Sequence, residues 1–259
     1  MEYQTNNCLN QFRNLGFTGA KPFQSLMEVN KKLTSLEFDQ HIQDDSDRLL
    51  IGRLLYLTIT RLDIAFSVQC LSQYMHSPKV SHMVAAARVV KYVKQSPGLG
   101  VFMSACADIN LTAYCDVDWA SCVSTRRSVT GFLLKLGDSP ISWKSKKQST
   151  ISRSSAEPEY RSLASTVAEL VWLRGLLSEL GVGLNGPITV FCDSKSAIQI
   201  ATNPVFHERT KHIDIDCHFI REKVQMGLVK LLHIPLLNNR LISLPKDLVL
   251  VNILIWCPS

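Results

Sequence analysis

Two carboxylates one residue apart stand out in the stretch AYCDVDWASC, residues 113–122. Asp116 and Asp118 follow an apolar alternation that is typical of a β-strand, in which side chains at i and i+2 point to the same face. Two acids on one face repel each other unless water or a cation takes up part of the charge. The pair therefore has two interpretations, an exposed turn or the first part of a metal site.

Two further acids lie where predicted elements begin or end. Asp193 ends the apolar run ITVFCD, residues 188–193, and precedes a predicted helix. Glu159 begins the buried face of a long predicted helix, where a carboxylate is costly unless something compensates its charge. A divalent cation would do so, and Mg²⁺ prefers carboxylate oxygens. That buried face is predicted from apolar residues at 3–4 spacing: Leu163, Val167, Leu170 and Leu177.

The elements that position these acids have the predicted order β-β-β-α-β-α-α-β, a mixed sheet with helices on its faces. In open α/β sheets, sites form at the carboxyl ends of strands, where Asp116 and Asp193 both lie. The two acids are therefore expected to meet across neighbouring strands. The predicted strands are 111–116, 129–136, 140–147, 188–193 and 228–234, and the predicted helices are 155–180, 195–202 and 209–226.

Three packed helices of a separate small unit are predicted between residue 46 and about residue 95. Ser46 or Asp47 is the expected cap of the first helix, and Ser96-Pro97-Gly98 is a strong stop signal after the third. The apolar residues that mark the first two helices are Leu50, Leu54, Leu55, Leu57, Ile64, Val68, Leu71 and Met75.

Each acid also has an ordinary structural interpretation. Asp116 can end a strand, Glu159 can be a first-turn acid of a helix, and Asp193 can be an N-cap. Ser154 and Glu157 fit a capping box. The joint placement of the three acids favours a shared site, in which two cations activate water and stabilise the leaving oxygen of a phosphodiester.

Bulk composition limits the class of protein. With 46% hydrophobic residues in 259, the chain can form a sizeable core in one or two domains. The net charge of +6 is compatible with a phosphate-rich partner. The eight cysteines form no C-x-x-C pair, which predicts reduced thiols.

No secretory signal is visible in the sequence, and the apolar run near its end is too short to span a membrane. A cytoplasmic or nuclear location without membrane association is therefore expected.

Long stretches of the chain resemble a known family. YCDVDWASCVSTRRSVTGFLLKLGDSPISWKSKKQSTISRSSAEPEYRSLA and CDSKSAIQIATNPVFHERTKHIDIDCHFIRE closely resemble the ribonuclease H domain of copia-type retrotransposon Pol polyproteins, most like those of plants. LIGRLLYLTITRLDIAFSVQCLSQYMHSP resembles the C-terminal end of the preceding reverse transcriptase. The resemblance implies a truncated, helical reverse transcriptase segment (thumb- or connection-like) over 1–105 and a ribonuclease H-like α/β domain with a mixed five-stranded sheet over 106–235. Residues 236–259 form a tail outside the family.

The resemblance also implies a chemistry and its partners. It assigns Asp116, Glu159 and Asp193 as catalytic metal ligands for two Mg²⁺ ions, with Mn²⁺ as a substitute and no small-molecule cofactor. The implied reaction is hydrolysis of the RNA strand of an RNA–DNA hybrid, and the rest of a Pol polyprotein is a further expected partner. Basic residues expected to contact the hybrid backbone are Arg126, Arg127, Lys144, Lys146, Lys147, Arg153, Arg209 and Lys211.

Three departures from the family pattern affect this expectation. The Y-x-D-D signature of a polymerase is absent, so no polymerase activity is expected. After residue 235 the sequence lacks the family's Q-L-A-D-x-x-T-K helix, whose Asp is a fourth metal-site acid, so impaired hydrolysis is expected. Pro158 stands where the family has Ala, beside Glu159. Whether the chain is an enzyme stays open, and the alternative is an inactive retroelement remnant with residual nucleic-acid binding.

Overall fold

The computed structural model describes residues 45–105, 109–122, 124–184, 186–203 and 214–234. The chain divides between Val101 and Phe102 into two compact units. The assignment of residues 1–105 to a reverse transcriptase segment and of 106–235 to a ribonuclease H-like domain stays a prediction about domain identity. The predicted aberrant tail at 236–259 lies outside the described residues.

The first unit contains the three helices that the apolar spacing predicts. They are α1 (Asp45–Leu57), α2 (Ala65–Ser72), which follows a 3₁₀ turn at Leu62–Ile64, and α3 (Val80–Gln95). Helix α1 begins at Asp45, so the prediction that Ser46 or Asp47 caps it is wrong. The buried residues include Ile51, Leu54, Ile64, Val68, Leu71, Val89 and Val93.

A buried arginine holds the turn between α1 and α2. Arg61 donates from Nε and Nη2 to the two carboxylate oxygens of Asp63, at 2.9 and 2.7 Å. Its Nη1 donates to the carbonyl oxygen of Ser96 at 3.0 Å, which connects the turn to the end of α3. These hydrogen bonds compensate the burial of the guanidinium, because a charge out of water is tolerated only when it is paired.

The second unit is built on a five-stranded sheet with the order β3-β2-β1-β4-β5. Its strands are β1 (Leu111–Asp118), β2 (Val129–Leu136), β3 (Ser139–Lys147), β4 (Ile188–Cys192) and β5 (Val229–His233). β1, β2 and β3 pair antiparallel, whereas β1 with β4 and β4 with β5 pair parallel. The parallel pairs need long crossovers, which the helices of this unit supply.

Three helices share a core with this sheet: α4 (Ala156–Glu179), α5 (Lys195–Thr202) and α6 (Asp214–Gln225). The core between them contains the inward residues of the strands and the predicted stripe on α4: Ala113, Cys115, Phe132, Leu134, Val190, Leu163, Val167, Leu170, Leu177, Ala197, Cys217 and Ile220. The predicted α/β class and the ribonuclease H-like mixed five-stranded sheet with flanking helices are confirmed. The predicted start of the last helix, residues 209–213, lies outside the described residues.

No helix in the described part of the chain has the length and apolar character that crossing a membrane requires.

Candidate metal centre

The first candidate ligand, Asp116, lies near the end of β1, where alternate residues such as Cys115 point into the core. Asp118 ends the strand two residues later on the same face as Asp116. Asp116 Oδ1 accepts a hydrogen bond from the backbone N–H of Val117 at 2.7 Å. Burial, followed by repulsion from Asp193, raises the pKa of Asp116 to about 7. The ionised form of this carboxyl is therefore disfavoured by its surroundings.

The second acid, Glu159, lies in the first turn of α4. Ser162 follows at i+3, is fully buried, and donates from Oγ to the carbonyl oxygen of Asp116 at 2.9 Å. Because residues three apart share a helix face, this bond holds Glu159 toward the end of β1. Burial first, and then the charges of Asp193, Cys192 and Asp116, raise the pKa of Glu159 to about 10. A negative charge on Glu159 is therefore costly unless something compensates it.

The capping box predicted at Ser154 and Glu157 is wrong. The N-cap of α4 is Ser155, which makes no side-chain capping bond. Glu157 Oε2 instead accepts from the backbone N–H of Arg153 at 3.0 Å, and its Oε1 pairs with Arg161 Nη2 at 2.7 Å. The arginine one turn later holds the carboxylate, so Glu157 has a structural role that is separate from Glu159.

The third acid, Asp193, lies between β4 and α5. Its interpretation as an N-cap is wrong, because the cap is Ser194, whose Oγ accepts from the backbone N–H of Ala197 at 3.2 Å. His233, at the end of β5, donates from Nε2 to the carbonyl oxygen of Asp193 at 3.0 Å. Burial raises the pKa of Asp193. The backbone of Asp193 is therefore fixed, and its carboxylate has no capping role.

The three predicted acids come together at one edge of the sheet. β1 and β4 are parallel neighbours, so their carboxyl ends meet there, and Glu159 approaches from the start of α4. Glu159 Oε2 and Asp193 Oδ1 are buried and have no hydrogen-bond partner. Buried polar atoms without partners are rare in folded proteins. Hard, unpartnered carboxylate oxygens suit a divalent cation, so these residues fit the metal that the family resemblance implies.

A thiol that the sequence did not indicate joins this cluster. Among the described residues, Glu159, Cys192 and Asp193 form the group whose ligand atoms all lie within 4.8 Å of one another, and Asp116 lies outside it. The only signal in the sequence was the repeated pair Cys115-Asp116 and Cys192-Asp193 at two strand ends. The two cysteines are register partners on β1 and β4. A hydrogen bond with Cys192, together with burial, raises the pKa of the Cys115 thiol.

The basic residues predicted to contact nucleic acid are spread over several elements. Lys144 and Lys146 are exposed and share a face of β3, whereas Lys147 is half-buried with its Nζ 3.8 Å from Cys122 Sγ. Arg126 and Arg153 are exposed and Arg127 is half-buried. Arg209 and Lys211 lie outside the described residues.

All three of these lysines, Lys147 included, line a cleft of about 720 Å³ between the β2–β3 edge and helices α4 and α6. Lys144, Lys146 and Arg161 line it with two acids, Glu169 and Asp216. Asp116, Glu159 and Asp193 do not line this cleft. The structure thus places the basic residues of β3 on a surface separate from the cluster of acids.

The chain is similar over most of its length to retroelement proteins. It is 42% identical over 230 residues to the retrovirus-related Pol polyprotein from transposon RE2 of Arabidopsis thaliana, which covers 88% of this chain and 16% of that protein. The corresponding polyprotein from transposon TNT 1-94 of Nicotiana tabacum is 33% identical over 221 residues, 84% of this chain and 16% of its own length. This chain therefore spans only a small part of the polyproteins that it matches.

A shorter relative is matched over most of its own length. An uncharacterised mitochondrial protein of Arabidopsis thaliana is 42% identical over 170 residues, 65% of this chain and 70% of that protein. No protein-family model matches the chain.

Among solved structures, a foamy viral protease-reverse transcriptase in complex with an RNA/DNA hybrid covers 77% of this chain and 26% of that one. The sequence identity is 10% and the TM-score is 0.45, a likeness too weak to support a conclusion. The sequence relatives do support one: the chain belongs to the retrovirus-related Pol polyproteins of plant copia-type transposons.

Proposed function

We propose that the second unit catalyses metal-dependent hydrolysis of the RNA strand of an RNA–DNA hybrid. The observation that carries the proposal is the convergence of Asp116, Glu159 and Asp193 at the edge where β1, β4 and α4 meet. Membership of the Pol polyprotein family supports a role in retroelement nucleic-acid chemistry. The proposal concerns this region of the polyprotein and includes no polymerase activity.

The chain's own residues create the site by concentrating negative charge. Glu159 and Asp193 contribute buried oxygens that lack hydrogen-bond donors, and Asp116 adds a third carboxylate beside them. When bound, two Mg²⁺ ions, or Mn²⁺ in their place, would activate water and stabilise the leaving oxygen of the phosphodiester. Ser162 and His233 fix the backbone of two of these acids, because their side chains donate hydrogen bonds to the carbonyl oxygens of Asp116 and Asp193.

The hybrid would be held mainly through its phosphates. Lys144 and Lys146 are exposed on one face of β3 and line a cleft, where they would contact the hybrid backbone. Contacts of this kind fix the register of a nucleic acid without reading its sequence. Discrimination of RNA from DNA would then depend on the 2′-hydroxyl and the shape of the hybrid.

The direct test is cleavage of a labelled RNA–DNA hybrid by the purified chain with Mg²⁺ or Mn²⁺. Asp193→Asn keeps the shape of the side chain and removes its charge, and we expect it to lower the cleavage rate about a hundredfold or more. Asp138→Asn is the matched control, because Asp138 is an exposed turn residue whose carboxylate lies 3.9 Å from Lys135 Nζ. No cleavage by the unsubstituted chain with either ion rejects the proposal, as does equal cleavage by the Asp193 variant.

A second function, nucleic-acid binding without cleavage, is favoured by one observation. Asp116 lies outside the group with ligand spacing, and its Oδ1 is engaged by the Val117 N–H. If this arrangement persists with metal, two ions are not held as hydrolysis requires, and the sequence also lacks the family's fourth acid. This alternative predicts salt-sensitive binding of the hybrid and no product. Cleavage that depends on Asp193 excludes it.

A further inference from the structure

The cleft beside β3 is preformed, because side-chain hydrogen bonds join the β3 region to α4 at two points. Ser142 Oγ on β3 donates to Glu169 Oε1 on α4 at 3.1 Å. Gln148, directly after β3, donates from Nε2 to the carbonyl oxygen of Pro158 at 2.9 Å and to Thr130 Oγ1 at 3.0 Å. These bonds fix the separation of strand and helix, so the opening of about 720 Å³ exists without a ligand.

Small side chains on α4 leave this space open. Ala164, Ser165 and Ala168 line the cleft on the helix side, and the buried Phe132 of β2 lines it as well. The volume lies within the range of about 300–1,000 Å³ that is typical of small-molecule sites. The cleft is therefore large enough to take a nucleotide.

The two walls of the cleft differ in chemistry. The β3 wall presents the exposed cations Lys144 and Lys146. The α6 wall presents Ile215 and Phe219, which lie four residues apart and so share a face of the helix. Ile215 is 87% exposed, so this apolar surface is open to a ligand. A ligand that fits both walls has an anionic part and an apolar part.

Two carboxylates on the helix side restrict the ligand further. Glu169 of α4 and Asp216 of α6 both line the cleft. Arg161 lines it too, but its guanidinium is paired with Glu157 at 2.7 Å. A ligand that is anionic along its whole length would be repelled by the two acids. The part of the ligand that faces the helices must instead offer hydrogen-bond donors.

A nucleotide with an unpaired base has this combination of groups. Its phosphate suits the exposed lysines, and the face of its base packs on an aromatic side chain such as Phe219. The amino groups of the base can donate to the carboxylates, which act only as acceptors. In a duplex these edges are paired and these faces are stacked, so a base is free to enter the cleft only from a single strand.

We propose that this cleft binds the unpaired nucleotides of a strand that leaves the hybrid at the β3 lysines, with phosphates on β3 and bases against α6. The inference rests on the proposed function, because it extends the surface that would hold the hybrid. It names a hybrid with a single-stranded extension as the preferred substrate. Asp116, Glu159 and Asp193 do not line the cleft, so the extension is held there and is not cut.

The test compares the affinity of the full chain for two labelled hybrids by fluorescence anisotropy, with a chelator to prevent cleavage. One hybrid carries a short single-stranded DNA extension, and the other carries an abasic extension with the same number of phosphates. The extension is placed in turn at each end of the DNA strand. We expect the extension with bases to bind about fivefold or more tightly at one of these ends, as stacking of a single base predicts. Equal affinities at both ends overturn the proposal, because phosphates alone then account for the binding.

A pair of tryptophan variants locates the effect in the cleft. Ala168→Trp fills the cleft from an exposed position on α4 and removes no core side chain, and it should abolish the preference for bases. Ser178→Trp is the matched control, because Ser178 is exposed on the same helix and lies outside the cleft. It should keep the preference. A preference that survives in Ala168→Trp, or that is lost equally in both variants, overturns the proposal.

These readouts are independent of catalysis. If the chain cleaves the hybrid but shows no preference for the extension with bases, this inference is overturned and the proposed function stands. If the preference is present and is lost in Ala168→Trp while the unsubstituted chain cleaves nothing with Mg²⁺ or Mn²⁺, the cleft is supported as a binding site and the proposed catalysis is rejected.

Discussion

Among the three candidate metal ligands, Glu159 is the residue whose ionisation the fold disfavours most. Burial and three neighbouring groups raise its pKa from an ordinary value of 4.5 to about 10. A carboxyl whose folded pKa is raised favours the folded state only while it stays protonated. Its contribution is fully present below pH 4.5, and it is lost as the pH rises toward 10, because the unfolded chain ionises first.

This cost predicts how the metal-free protein responds to pH. Without divalent cations, the free energy of unfolding of the unsubstituted chain should fall between pH 5 and pH 9 relative to that of Glu159→Gln. The slope of the difference is at most about 1.4 kcal/mol per pH unit, the value for one proton. Denaturant unfolding in a chelating buffer at several pH values measures it.

Glu179→Gln controls for the loss of a charge from the same helix, because Glu179 is an exposed residue at the far end of α4. That variant should keep the pH dependence of the unsubstituted chain. If Glu159→Gln also keeps it, Glu159 is not held near its neighbours as the structure has it.

At the scale of elements, a side-chain hydrogen bond joins α4 to β1, that of the buried Ser162 Oγ to the Asp116 carbonyl oxygen. Ser162→Ala leaves this buried acceptor without its partner, which costs about 1–3 kcal/mol. It should also weaken Mg²⁺ binding, because Glu159 is then held less firmly against the end of β1. The Mg²⁺-dependent rise in Tm measures binding separately from the loss of stability.

Thr166→Ala provides the comparison for Ser162→Ala. Thr166 is equally buried, one turn further along α4, and its hydroxyl bonds within the helix to the Ser162 carbonyl oxygen at 2.8 Å. It should lower Tm without reducing the Mg²⁺-dependent shift. An equal reduction of that shift in both variants would mean that general loosening of α4, not the bond to β1, governs the site.

Most elements of the second unit were predictable because strong local signals mark them. β2 was predicted at its observed bounds, since the turn signal Gly137-Asp138-Ser139 separates the run VTGFLLKL from the run PISWKSKK. α5 was also predicted at its bounds, after the apolar run of β4. The stripe on α4 correctly identified its buried face. Periodicity therefore located the strand ends and the helix start that hold the three acids.

Helix caps, side-chain neighbours and rotamers were not predictable from the sequence pattern. The cap of α4 lies one residue later than the capping-box pattern indicates, and Glu157 instead forms an ion pair with Arg161. Cys192 belongs to a buried strand by its pattern, and the proximity of its sulfur to Glu159 depends on how α4 packs against β4. The carboxylate of Asp116 turns to its own neighbour's N–H, a choice of rotamer that spacing cannot reveal.

For the whole molecule, the net charge of +6 and the location of the exposed lysines make separate predictions about nucleic-acid binding. A uniform excess of charge attracts phosphates weakly wherever the cations lie. When specific residues contact phosphates, each of them contributes separately to the dependence of the binding constant on salt concentration. The logarithm of the binding constant then changes with the logarithm of salt concentration by about 0.7–0.9 for each phosphate neutralised.

The double variant Lys144→Ser and Lys146→Ser is expected to reduce the magnitude of that slope by about 1.4–1.8, because two contacts on β3 are lost. Lys91→Ser with Lys230→Ser removes the same charge from α3 and β5 and should leave the slope nearly unchanged. Fluorescence anisotropy of a labelled hybrid at several salt concentrations, with a chelator to prevent cleavage, measures both. Equal reductions in the two double variants would show that net charge alone attracts the hybrid, and would remove the β3 lysines from the proposed binding surface.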